Sequence, residues 1–172
     1  MTRFTTLIAA LATGLAAGAL LAAPAVAQGK PGVAGAEAPK AQAQPKRGEP
    51  SAHRLILQVN TNDPAAMNLA LNNAANVDQY YSDLGEPVEI EIITFGPGLH
   101  MLRSDTSPVK DRVKSMAESR PSVTFKACGN TQENMAKAEN KKIPLLAQAT
   151  VVKSGMVRII ELQEQGWSYV RP

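Results

Sequence analysis

The chain has 172 residues, with 18 Lys and Arg against 15 Asp and Glu, two His, and a formal charge of +3. The whole excess lies in the first 50 residues, because residues 51–172 carry 13 cations and 13 anions. That balance, with aromatic residues at 4% of the chain, excludes the basic, base-stacking surface that nucleic acid would need.

The opening segment "MTRFTTLIAALATGLAAGALLAAPAVAQGK" has a cation at Arg3 and an apolar run from Phe4 to Ala23. "AVAQ" (Ala25 to Gln28) then supplies the small-x-small pattern of a cleavage site. Together these predict a secretory signal peptide over residues 1–27, cut after Ala27. A retained anchor is the alternative, since a run of about 20 residues is long enough to span a bilayer. The Ala, Gly and Thr content and the cleavage pattern favour removal. The mature protein is therefore expected in the periplasm, free of the membrane. Residues 28–50, "QGKPGVAGAEAPKAQAQPKRGEP", hold almost nothing large and apolar. Such a segment cannot offset its ordering entropy and is expected to be a disordered tether. Residues 51–172 are the size of one ordinary domain.

Within that domain, "RLILQV" (Arg54 to Val59) reads as a buried first strand. Asp63 and Pro64 start a helix with Met67, Ala70, Leu71, Ala74 and Tyr81 toward a core, and Gly85 ends it. "VEIEIITF" (Val88 to Phe95) opens on strict alternation, which predicts a half-exposed strand at a sheet edge. "GPGLHMLRSDT" reads as a loop. Ser107 and Pro108 introduce a second helix with Val109, Val113, Met116 and Ala117 inward. "SVTFKA" (Ser122 to Ala127) is a third strand with Cys128 at its end. Asn130 and Glu133 form a capping-box pattern for a third helix. "ATVV" is a fourth strand, "SGMVRIIELQEQG" a fourth helix capped by Ser154 and ended by Gly166, and "WSYV" a fifth strand.

Alternating strands and helices predict an α/β three-layer sandwich around a mainly parallel five-stranded sheet. The edge-like second strand suggests the flavodoxin-like order 2-1-3-4-5, with helices on both faces. Ligands gather where strand order reverses, which in that order is the crevice between strands one and three. Asn60, Thr61 and Asn62 end the first strand there, and Cys128, Gly129 and Asn130 end the third.

Cys128 is the one cysteine of the chain. An exported protein with one cysteine cannot close an internal disulfide. The thiol is then either reactive or an inert small hydrophobe. Its place just before a helix N-terminus favours the thiolate, and Gly129 would let a small anion or a second sulfur approach. His100 could reach the same edge and activate the thiol, or remain a solvated loop histidine. One cysteine and two histidines are a poor metal set, so no metal is expected. "GPG" precedes no GK[ST], and no cofactor signature occurs.

The stretches "HRLILQVNTNDPAAMNLALNNAANV", "VEIEIITFGPGLHML", "VTFKACGNT" and "VVKSGMVRIIELQEQGWSYVRP" resemble the DsrE/DsrF-like family, in its exported single-domain branch. The resemblance spans nearly all of residues 53–172, and F-x-x-C-G-N-T and L-Q-x-Q-G-W-x-Y are its more specific parts. It implies a small α/β sandwich and a homo-oligomer, trimer or hexamer. It also implies a sulfur-relay role in which a strand-end cysteine, here Cys128, carries a persulfide between a donor and an acceptor protein. The alternative is an oligomeric binding module, not an enzyme, in which Cys128 is inert.

Overall fold

The computed structural model describes residues 52–172. The signal peptide expected over 1–27 and the tether expected over 28–50 lie outside these residues.

Strand β1 (His53–Val59) enters helix α1 (Pro64–Leu84) through Asp63, whose Oδ1 accepts the Ala65 N–H at 2.9 Å. Met67, Ala70, Leu71 and Ala74 are its buried residues. Tyr81 is only part-buried and stacks on His53 instead, ring centroids 3.7 Å apart. Strand β2 (Val88–Thr94) leads into a 3-10 helix (Gly96–Leu102) and then α2 (Lys110–Ser119). Strand β3 (Val123–Cys128) runs without a break into α3 (Gly129–Glu139). Strand β4 (Ala149–Val152), α4 (Gly155–Glu164) and β5 (Ser168–Val170) complete the domain.

All five strands are parallel, in the order β4-β3-β2-β1-β5. This corrects the expected order 2-1-3-4-5: β2 is not at an edge but lies between β1 and β3. The alternation that suggested an edge has another cause. Glu91 is buried and accepts two hydrogen bonds from Arg158 of α4, from Nε at 3.1 Å and Nη2 at 2.6 Å. A carboxylate can occupy a central strand when a cation from the covering helix meets it.

The order explains which helix lies where. Steps from β1 to β2, β3 and β4 all run one way, so right-handed crossovers place their helices on one face. The return from β4 to β5 runs the other way and sends α4 to the opposite face. The two cores agree. Residues from α1, the 3-10 helix and α2 pack with Leu57, Val59, Ile90, Ile92, Phe125 and Ala127, and Met135 of α3 joins them. Ile159 and Leu162 of α4 pack with Ile56, Ile93 and Trp167.

The stretch read as a loop is a buried 3-10 helix, with Leu99, Met101 and Leu102 in the first core. Arg103 at its exit is 1% exposed. Its Nε and Nη2 donate to Asp105 at 2.9 and 2.8 Å, and Nη2 also donates to Glu139 at 2.9 Å. This buried guanidinium ties the 3-10 segment to the end of α3.

Candidate thiolate site

The site follows from the chain's choice of faces after β3 and β4. From β3 the chain turns into α3, which packs with the first core, and from β4 it turns into α4, which packs with the second. Adjacent parallel strands whose outgoing chains part to opposite faces leave a crevice at their carboxyl ends. That crevice lies between β3 and β4, not between β1 and β3 as the expected order had it.

Cys128 is the last residue of β3 and pairs in register with Val152, the last of β4. It is also the N-cap residue of α3, a position the sequence pattern assigned to Asn130. Its side chain is 4% exposed. Burial by itself pushes the thiol up. The nearby Thr131 hydroxyl and the backbone N–H groups of Gly155, Thr131 and Asn130 favour the thiolate, outweigh burial, and hold Cys128 below its ordinary value. Thr131 and Asn130 belong to the first turn of α3, and Gly155 is the first residue of α4. The N-termini of α3 and α4 therefore both lie near Cys128, each adding its dipole. The Asn130 N–H donates to the Lys153 carbonyl at 3.1 Å, which fastens the start of α3 to the residue after β4.

A second contact orients the hydroxyl. The Gly96 N–H donates to Thr131 Oγ1 at 3.0 Å. That bond anchors Thr131 Oγ1 and leaves its one hydroxyl proton free to donate elsewhere. The close approach of α4 depends on Gly155, where a Cβ would lie 3.1 Å from Phe95 Cδ1 and 3.3 Å from Ile93 Cγ2. Gly129 has a packing role too. A Cβ there would lie 3.2 Å from the Val152 carbonyl oxygen and 3.3 Å from Val151 Cγ1, so its small size admits β4 rather than a ligand.

At the carboxyl end of β4 and along α4 runs a cleft of about 540 Å³, lined by Asn130, Val152, Lys153, Ser154, Val157, Arg158 and Glu161. The other expected site residues lie elsewhere. Asn60, Thr61 and Asn62 follow β1, which β2 separates from β3. Asn60 and Thr61 line a small cleft with Arg171 and Pro172. His100 sits in the 3-10 helix, where its Nδ1 bonds Thr106 Oγ1 at 2.8 Å. Of the predicted residues, the fold brings Gly129 and Asn130 to Cys128 and does not bring Asn60, Thr61, Asn62 or His100. Among the described residues, no group of three or more His, Cys, Asp or Glu could hold a metal ion.

The DsrE/DsrF-like family model matches residues 53–172. The chain belongs to the DsrE/DsrF-like family. Its fold is similar to that of MTH1491, a protein of unknown function from Methanobacterium thermoautotrophicum. The two share 30% identity at a TM-score of 0.58, over 70% of this chain and 99% of that one. No curated protein matches the chain.

In this DsrE/DsrF-like domain, sequence reasoning missed Thr131, Gly96, Gly155 and Arg158 as parts of the site. One signal for Gly155 was present. The Ser-Gly start of α4 was legible, and the expected order already placed the fourth strand beside the third. Ser154 does cap α4, its Oγ accepting the Val157 N–H at 3.4 Å.

Proposed function

We propose that this DsrE/DsrF-like protein is a periplasmic thiol protein that accepts sulfane sulfur on Cys128 and passes it to an acceptor protein. The observation that carries the reading is the place of Cys128, the N-cap of α3 and the register partner of Val152 just before α4, where neighbouring hydroxyl and N–H groups hold its thiol below the ordinary value. Such donors stabilise the thiolate, which is the nucleophile in sulfur exchange. The thiolate attacks the outer sulfur of a persulfide, R–S–SH. A new S–S bond forms as the old one breaks, and R–S⁻ leaves with the electron pair. The transferred sulfur keeps its oxidation state, so no oxidant or reductant enters. Delivery is the same exchange onto an acceptor thiolate. The periplasmic location rests on the signal pattern of residues 1–27.

Homo-oligomeric assembly, as a trimer or hexamer, is part of the proposal. Met156 and Ile160, one turn apart, are each about half exposed on α4. They form an apolar stripe on the one helix that covers the second face. Burying such a stripe against another copy is a natural source of association.

The test is intact mass of the native protein before and after exposure to polysulfide, with Cys128→Ser as control. A gain of sulfur that a reductant removes, absent from the variant, is expected. A second reading is favoured by the low exposure of Cys128: a ligand- or partner-binding module in which the thiol is packing. Absence of an adduct, with alkylation only after unfolding, would select that reading.

A further inference from the structure

The cleft beside Cys128 has its own charge pattern. Lys153 and Arg158 supply cations, Glu161 an anion, and Val152 and Val157 an apolar floor. Arg158 is held in one orientation, because Glu91 takes its Nε and Nη2. Among the described residues, Nη1 has no side-chain or backbone acceptor. Glu91 itself is 8% exposed, in the middle of a central strand. A buried ion pair of this kind adds little stability that two apolar side chains would not match. What it does secure is a guanidinium fixed in the wall of the cleft. Arg158 lies one turn along α4 from Gly155, the residue that opens the helix after β4. The cleft therefore abuts the strand end that carries Cys128, through Asn130 two residues on and Val152, its register partner.

From this arrangement we infer that the cleft binds a low-molecular-weight thiol of amino-acid type, presented as its persulfide. The ligand's carboxylate meets Arg158 and Lys153, its ammonium meets Glu161, and its sulfur points to Cys128. A cleft of about 540 Å³ lies within the usual range for small-molecule sites. Fixed guanidinium donors suit a carboxylate better than a mobile ammonium does. The inference rests on the sulfur-carrier reading and names the donor class. The covalent step is the exchange written above, with the amino-acid thiolate as leaving group and the new terminal S–H on Cys128.

The experiment compares the rates at which the purified protein gains sulfur from two persulfides. Glutathione persulfide carries carboxylates and an ammonium, whereas the persulfide of 2-mercaptoethanol carries neither. The variants are Lys153→Gln and the paired Glu91→Gln/Arg158→Gln, which leaves no buried charge unpartnered. Each is checked for native melting behaviour. Glutathione persulfide should load the native protein faster, and each variant should lose about tenfold of that rate, as expected for one lost charged contact. Loading from the persulfide of 2-mercaptoethanol should hardly change. Equal loading from both persulfides, unaltered in the variants, would overturn the inference and leave the carrier reading standing. If neither persulfide loads Cys128, the carrier reading falls. The cleft is then read by titrating S-methylglutathione into Cys128→Ser protein. Binding weakened by the cleft substitutions supports the assigned occupant, and no binding overturns it.

Discussion

Gly96 donates its N–H to the Thr131 hydroxyl at 3.0 Å, from the turn after β2 to the first turn of α3. The contact anchors the Thr131 hydroxyl, which helps to hold the Cys128 thiol below its ordinary value. Thr131→Val should raise the pH at which the thiol ionises, and Thr131→Ser should restore it. The measurement is the pH profile of alkylation by a small reagent, with thiolate absorbance as a second readout. An unchanged profile in the valine variant would remove Thr131 from the site.

The same depressed ionisation predicts a pH dependence of stability. The folded thiol ionises below its ordinary value of 9.0, so between the two values the unfolded chain binds more protons. Stability from this group is complete above about pH 9 and is lost as pH falls through the folded value. Native protein should therefore gain on Cys128→Ser as pH rises from neutral toward 9, in denaturant titrations run in parallel. A constant difference would mean that the thiol is not stabilised as an anion.

Gly155→Ala places a methyl 3.1 Å from Phe95 Cδ1. Helix α4 must then shift away from the sheet, at a cost of about 1–3 kcal/mol. The shift takes the Gly155 N–H away from sulfur, so alkylation at neutral pH should slow along with the loss of stability. Loss of stability with unchanged thiol reactivity would show that the second helix N-terminus contributes nothing to the thiolate.

Arg103→Met removes a buried cation and leaves Asp105 and Glu139 without it. Breaking a buried pair costs about 3–5 kcal/mol, with the lower end expected because both carboxylates are partly exposed. Arg103 holds Glu139 down to about 2 from 4.5. That stabilisation is present above about pH 4.5 and is lost as pH falls through 2. The stability gap between native and variant should thus be full at neutral pH and shrink on acidification below 4.5. Urea titrations at pH 7, 4 and 3 measure it.

Ile160→Asp puts a charge in the exposed stripe of α4. Light scattering should report a smaller particle than the native one, with the fold retained by circular dichroism. If native and variant proteins have the same mass in solution, α4 is not the assembly face.

Local chemistry in the sequence determined the elements of this protein. Asp63 and Gly85 bound α1, Ser154 starts α4, and the strand runs are apolar by composition. These signals act over a few residues, so they can be read without knowing what packs against what. They were also enough to put Cys128 at a strand end facing a helix start. Tertiary structure alone decided the strand order, and with it the neighbours of the sulfur. Glu91 and Arg158 stand 67 residues apart in the chain, and Gly96 and Thr131 stand 35 apart. No local pattern encodes which strands pair or on which face a crossover returns. The pattern of Glu89 and Glu91 reads the same whether water or a guanidinium answers it, and only the packed helix tells them apart. For that reason Asn60, Thr61, Asn62 and His100 looked like neighbours of Cys128 in the chain's local code, while Thr131 and Gly155 became its neighbours in the fold.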